Sequence, residues 1–329
     1  MSNKLGQKVV IVGAGLAGLL AACKFEGATI MESGPRSINH KALLRFRDES
    51  VSTLTGIPFK RVTVDKGVWD SKERRLITGQ CPLDVANKYS IKVSGGLANR
   101  SIRNLESEVR FIAPPDFQEQ LQKRFNDQIN YHSPFTRDSA PLGKPGVAIV
   151  STAPLPALAK TLDLNLPADF ERQTSASTIA VMRIPLAIPS DVYQTVYFPQ
   201  RSLAIYRASI TGDTLIIEAL VPGGYPGYFP TGELGEVLDA FGLSTNETRP
   251  SEATIDRQSN GKIVDLPRDR RAAILYELTQ RYNIYSLGRF ACWRNIILDD
   301  VAKDIEKVSR LMDATFYSRS LNIFGNSQK

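Results

Sequence analysis

The amino-acid sequence predicts an α/β fold: a parallel sheet covered by helices, interrupted by an inserted part built on an antiparallel sheet. Three observations predict it. A β-branched run at residues 9–12 leads through a glycine-rich turn into a helical stretch at 16–25 and a second buried run at 28–31, the grammar of a βαβ unit. Apolar runs return late, at 146–152 and 283–287, so the first sheet is resumed after long excursions. Between them, runs at 178–184, 192–198, 203–210 and 214–221 follow at short spacing, as in an antiparallel sheet.

The remaining elements fall into place in chain order. Residues 36–110 change character, being basic and broken by Gly56, Pro58, Gly67, Gly95 and Gly96; they read as covering loops with short strand-like pieces such as 61–64. Helices are predicted at 114–126 after a Pro-Pro start, at 268–282 and at 299–312. The 329 residues exceed the roughly 100–200 typical of one domain. The expected organisation is a discontinuous first domain of residues 1–35, 95–160 and 283–329, a basic cap segment at 36–94, and a substrate domain at 161–282.

Composition narrows the function. Hydrophobic residues make up 42% and charged residues 23%, values of an ordinary globular chain. Cys23, Cys81 and Cys292 are odd in number and widely spaced, which suggests neither a disulfide framework nor a metal site and points to a reducing, cytoplasmic setting. The apolar run at 9–22 is interrupted by glycines and is not read as a signal-peptide core. No segment approaches a membrane span. The net charge of +7 is concentrated: residues 36–110 hold 15 Lys plus Arg against 8 Asp plus Glu. A field of that sign favours a polyanionic partner, nucleic acid or a phosphate-rich small molecule.

The motif with the most chemistry is VVIVGAGLAGLLAACKFEGATIMES at 9–33. Gly13 permits a tight turn, Gly15 lets the backbone approach a pyrophosphate, and Gly18 lets the helix pack closely on the sheet. The start of the helix offers free N–H groups and a positive dipole end. Glu32 closes the second strand, where a carboxylate accepts the hydroxyls of an adenosine ribose. The unit is therefore a Rossmann-like dinucleotide site, with Val12, Gly13, Gly15, Leu16, Ala17, Gly18, Glu32, Ser33, Arg36 and His40 as its predicted contacts. Two later blocks favour FAD over NAD: VAIVSTAPLPAL at 147–158 and YSLGRFACWRNIILDD at 285–300. The second places a helix start where it would favour an anionic reduced flavin. They add Thr152, Ala153, Gly288, Arg289, Trp293, Asn295 and Ile296 to the predicted cofactor contacts.

Together these three blocks resemble the superfamily of flavin-dependent amine oxidases and UDP-galactopyranose mutases, in which an N-terminal FAD unit is resumed near the C-terminus. Gly288 and Arg289 resemble the Gly-Arg of the mutases. The chain departs from the usual pattern after Glu32, where SGPRSINH lacks Gly-Gly-Arg, and at Arg289, which stands where other flavoproteins often carry an acid. HKALLRFR at 40–47, GIPF at 56–59, DKGVW at 65–69 and YSIKVSGG at 89–96 resemble bacteriophage flavoenzymes of thymine hypermodification. That resemblance implies oxidation of a glycyl group on the thymine methyl carbon. Hydride passes to the flavin, the resulting imine is hydrolysed to glyoxylate and aminomethyl-deoxyuridine, and molecular oxygen is the electron acceptor. It also implies DNA as partner, single-stranded or with the base extruded, and a location in the host cytoplasm. The alternatives are a mutase-like flavoprotein acting on a nucleotide sugar and a non-catalytic protein that binds flavin and DNA.

On this reading His40 and Lys262 are the candidate catalytic residues. Lys262 lies in QSNGKIVDLP at 258–267, where related enzymes hold a flavin-facing residue, and an amine there would position water or assist oxygen reduction. Lys41, Arg45, Arg47, Lys60, Lys92 and Arg100, with Arg61, Lys88 and Arg103, are candidates for gripping phosphates. Tyr225 and Tyr228, in GGYPGYF at 223–229, are the favoured base-stacking aromatics, ahead of Trp69, Tyr89, Tyr206 and Trp293. His132 is expected to be structural.

Overall fold

In the computed structural model, which describes residues 7–37, 43–97, 102–138, 141–144, 146–221 and 228–325, the chain opens as predicted with β1 (Lys8–Val12), α1 (Leu16–Lys24) and β2 (Thr29–Met31). It runs on through β3 (Arg45–Phe46), α2 (Ser50–Thr55), β4 (Lys60–Asp70), β5 (Arg75–Ile77), β6 (Gly79–Gln80), α3 (Leu83–Ser94), β7 (Asn104–Leu105) and β8 (Glu108–Ile112). Next come α4 (Phe117–Arg124), β9 (Ile129–Asn130), β10 (Val147–Ser151), α5 (Leu155–Thr161) and α6 (Phe170–Gln173). The inserted strands are β11 (Ala176–Pro185), β12 (Tyr193–Tyr197), β13 (Ile205–Thr211) and β14 (Thr214–Leu220), followed by α7 (Leu234–Phe241) and β15 (Thr254–Ile263). The chain closes with α8 (Arg268–Tyr282), β16 (Ile284–Ser286) and α9 (Leu298–Gly325).

Five strands form a parallel sheet in the order β16-β10-β1-β2-β9, with Val10 opposite Ile149 and Ile149 opposite Ile284. β1 is apolar at consecutive positions because both of its faces are covered. Val9 and Ile11 pack with Leu19 of α1 and Ile305 of α9. Val10 and Val12 pack on the other side with Leu158 of α5 and Leu278 of α8. Each fully buried aliphatic side chain contributes about 1.5–3 kcal/mol. The late strands thus return to the first sheet, as the sequence predicts.

The larger sheet runs β15-β11-β14-β13-β12-β4-β8-β3, with β5 paired to β4. β11 to β14 pair antiparallel, whereas β12 and β4 are parallel. Residues read as loops therefore supply strands: β4 is 11 residues long and its Val62 and Val64 are buried. Charged neighbours obscured its alternation in the sequence. α3 was hidden in the same way. Its Ala86, Tyr89, Ser90 and Val93 form one buried stripe; Pro82 stands at its N-cap, and Gly95, one of the breakers of the sequence reading, ends it in the left-handed conformation. No described helix is long and apolar enough to cross a membrane.

Candidate functional site

The turn after β1 is built by what glycine leaves out. Gly13 has φ +100°, and a Cβ there would lie 2.5 Å from Thr152 Oγ1, which donates to Val12 O at 2.7 Å. At Gly18 a Cβ would lie 1.9 Å from Gly13 O, so α1 closes directly over the turn. Gly15 is different: nothing stands within 4 Å of its Cβ position, because it faces a cavity. α1 has no side-chain cap and no acid in its first turn, so its positive end is left for a ligand.

That cavity, of about 470 Å³, is lined by Ala14, Gly15, Glu32, Gln122, Tyr131 and Phe290 among others. Glu32 is positioned by two main-chain donors: Ala14 N–H to Oε2 and Gly34 N–H to Oε1, both at 2.8 Å. Oε1 also accepts from the Ser33 hydroxyl at 3.4 Å, and Oε2 keeps a second acceptor direction for a ligand hydroxyl. Tyr131 Oη and Gln122 Oε1 are buried without a hydrogen-bond partner, and burial raises the Tyr131 pKa. Orphaned polar atoms in a cavity wall fit a polar ligand. Neither residue carried a sequence signal, because Gln122 is placed by α4 packing on α1 and Tyr131 by β9 pairing with β2. Ser33 and Arg36 are exposed beside Glu32.

The C-terminal block meets the cradle from the other side. Gly288, at φ +93°, brings its Cβ position to 3.0 Å from the Ala17 Cβ. Arg289 donates to Asn295 Oδ1, and Asn295 N–H donates to Asp265 at 2.6 Å. Ala153 is half-buried, and Ile296 packs on the core beside α1. Trp293 is 2% exposed and packs with Val12, Ile149 and Leu266, so it is a core residue and lines neither this cavity nor the second one. The last helix follows this segment, as the sequence predicts. Asp299 accepts the Arg47 N–H at 2.7 Å and Asp300 accepts the Ile297 N–H at 3.1 Å, so the first turn of α9 brings its own negative charge.

A second cavity, of about 590 Å³, opens on the larger sheet, and Ile297 of the same segment borders it. Arg45, Arg47, Lys66, Arg110 and Arg207 line it, with Glu108 in its wall. Glu108 binds both Lys66, at 2.7 Å, and Arg110. Arg207 is held from behind by Glu218, which also accepts the Tyr206 hydroxyl at 3.1 Å. Burial opposes ionisation of Glu218, but Arg207, Lys262 and that hydroxyl outweigh it and hold the pKa below the ordinary glutamate value. Arg45 donates to Thr195 Oγ1 at 2.8 Å and Thr211 Oγ1 at 2.9 Å. Burial, reinforced by Arg207, lowers its pKa to about 10.

The other candidates divide by what their side chains touch. Lys262 places its ammonium 4.2 Å from the centroid of the Tyr206 ring and lines neither cavity; its charge supports the Glu218 cluster. Lys60 is exposed and pairs with Asp191 and Tyr193. Tyr228 is 45% exposed, its carbonyl accepting from Arg257. Trp69 donates to Glu236 and Tyr206 is fully buried. His40, Lys41, Arg100 and Tyr225 lie outside the described residues.

Lys92, a candidate for gripping phosphate, is occupied within the protein. It donates to three carbonyls, Phe198 at 2.8 Å and Gln200 and Ile205 at 2.7 Å, and so ties α3 to the β12–β13 connection. Lys92→Met is expected to lower stability by about 1–3 kcal/mol, which thermal melts check. Burial lowers the pKa of Lys92 to about 8. Above that pH the folded state binds fewer protons than the unfolded chain. The stability difference between wild type and Lys92→Met therefore grows as pH rises from about 8 to the ordinary lysine value.

No protein-family model matches the chain, and no curated protein matches it. Among solved structures it is similar to a reduced UDP-galactopyranose mutase, at 14% identity over 88% of this chain and 89% of that one, with TM-score 0.62. The fold is shared. A putrescine oxidase variant from a redesign of cofactor binding matches at 11% identity over 94% of this chain and 99% of that one, with TM-score 0.58. A fatty acid isomerase from P. acnes that produces CLA matches at 11% identity over 92% and 97%, with TM-score 0.57. These likenesses span nearly the whole chain, the parallel sheet and the larger mixed sheet together.

Proposed function

We propose that the protein is an FAD-dependent oxidoreductase that oxidises the C–N bond of a glycyl group carried on thymine in DNA. The observation that carries the reading is the pairing of an open dinucleotide cradle with a basic cavity, both bordered by the segment 288–298. FAD is supported by the cradle and by the fold shared with the mutase and the putrescine oxidase. The choice of DNA rests on the resemblance of residues 40–96 and on the basic field.

When bound, FAD supplies a two-electron acceptor. The residues here do the holding. Gly13, Gly15 and the start of α1 receive the phosphates, Glu32 receives the ribose hydroxyls, and Tyr131 and Gln122 offer unused polar atoms beside it. The substrate loses a hydride from the glycyl α-carbon and a proton from nitrogen. Water adds to the imine carbon, and the C–N bond breaks to release glyoxylate and the aminomethyl base. The required protein contribution is orientation and exclusion of bulk water.

Mixing the flavin-loaded protein anaerobically with an oligonucleotide that carries glycyl-thymine should bleach the visible flavin band and release glyoxylate in equal amount. Admitting oxygen should restore the band with formation of peroxide. Turnover seen only with pre-reduced flavin and a nucleotide sugar would assign the basic cavity to a mutase instead.

A further inference from the structure

We infer that the second cavity is a carboxylate site, and that Arg45 receives the free carboxylate of the substrate's glycyl group. This rests on the reading just proposed and goes beyond it by naming which anion enters and where.

Charge accounting within the cavity comes first. Glu218 is committed to Arg207, and Glu108 is shared by Lys66 and Arg110. Among the described half-buried cations of this cavity, Arg45 alone has hydroxyl and carbonyl partners but no carboxylate, and its Nε is buried with no partner. A buried guanidinium among like charges is costly unless an anion joins it. Its planar fork matches a carboxylate through two parallel N–H···O bonds.

Depth decides which anion. A base extruded from DNA enters a pocket with its 5-substituent leading and its sugar and phosphates trailing. The glycyl carboxylate is the outermost group of that substituent, so it arrives where Arg45 is buried. The flanking phosphodiesters stay at the rim, where Arg47 is exposed. Tyr89 and Tyr197, packed edge to face with ring centroids 5.2 Å apart, supply an aromatic wall along the way.

The test uses a substrate stripped of phosphate. Calorimetric titration of the flavin-loaded protein, held reduced and anaerobic so that no turnover occurs, compares 5-(carboxymethylaminomethyl)-2′-deoxyuridine, its neutral carboxamide, and thymidine 5′-monophosphate. The carboxylate nucleoside is expected to bind roughly 10- to 100-fold more tightly than the carboxamide, with the monophosphate failing to displace it. Arg45→Gln is expected to erase the preference between carboxylate and carboxamide while flavin content stays the same, and Arg45→Lys to restore part of it. Equal binding of carboxylate and carboxamide by the wild type overturns the assignment, as does displacement by the monophosphate. The wild-type comparison needs no variant to fold. A protein that carries no flavin would instead sink the oxidoreductase reading, a separate outcome.

Discussion

Gly15→Val is expected to leave the fold standing and to empty the cradle, whereas Gly18→Ala is expected to lose both. The contrast follows from one atom at each position. At Gly15 the backbone is extended, with φ −72° and ψ 175°, which any residue adopts, and no protein atom lies within 4 Å of the added Cβ. The valine side chain would fill the space through which a pyrophosphate reaches the first turn of α1. The melting temperature should therefore move by no more than a few degrees, while FAD affinity falls by about 100-fold or more. At Gly18 the added methyl would sit 1.9 Å from the Gly13 carbonyl oxygen. Backbone cannot yield there without lifting α1 from β1, so a loss of about 3 kcal/mol or more is expected. Melting curves and flavin content of the two variants, measured side by side, check the pair.

Glu218→Gln is the second large effect. Glu218 is 6% exposed and is the carboxylate bonded to Arg207. Removing its charge strands a buried guanidinium and costs about 3–5 kcal/mol. Replacing Arg207 and Glu218 together with apolar residues should recover most of that loss, since the stranded charge disappears with its partner. The sign of the pH dependence follows from the depressed pKa of Glu218. Its contribution is fully present above the ordinary glutamate range and is lost as pH falls through the depressed folded-state value. Wild type should therefore lose stability more steeply than Glu218→Gln on acidification, and parallel curves from neutral pH downward would contradict the assignment.

The parts of this molecule legible in the sequence are those whose signal is local. β1, α1 and β2 announce themselves because both faces of β1 are buried and the three glycines fall at the spacing of a strand–turn–helix unit. The late strands β10 and β16 are legible for the same reason. Of β4 only the piece at 61–64 was legible, since Lys60, Arg61, Asp65 and Lys66 interrupt its apolar face. β15, whose polar TIDRQSNGKI pairs only with β11, was not. The glycine turn and Glu32 beside the first cavity were readable, but the make-up of the second cavity was not. Arg45 and Lys92 look alike as basic residues in one charged stretch. Only the packing of α3 against β13 turns Lys92 onto three carbonyls and leaves Arg45 in a cavity wall. Tyr131 and Gln122 were invisible because their role depends on where α4 and β9 stand.

The central claim is that the Gly13–Gly15 turn and Glu32 hold FAD, and the ligand carried by the purified protein tests it most directly. Denaturing the protein and identifying the released molecule by mass and visible spectrum should yield FAD in equal amount to the chain, with Glu32→Ala retaining much less. A colourless protein that binds NAD and no flavin would contradict the account.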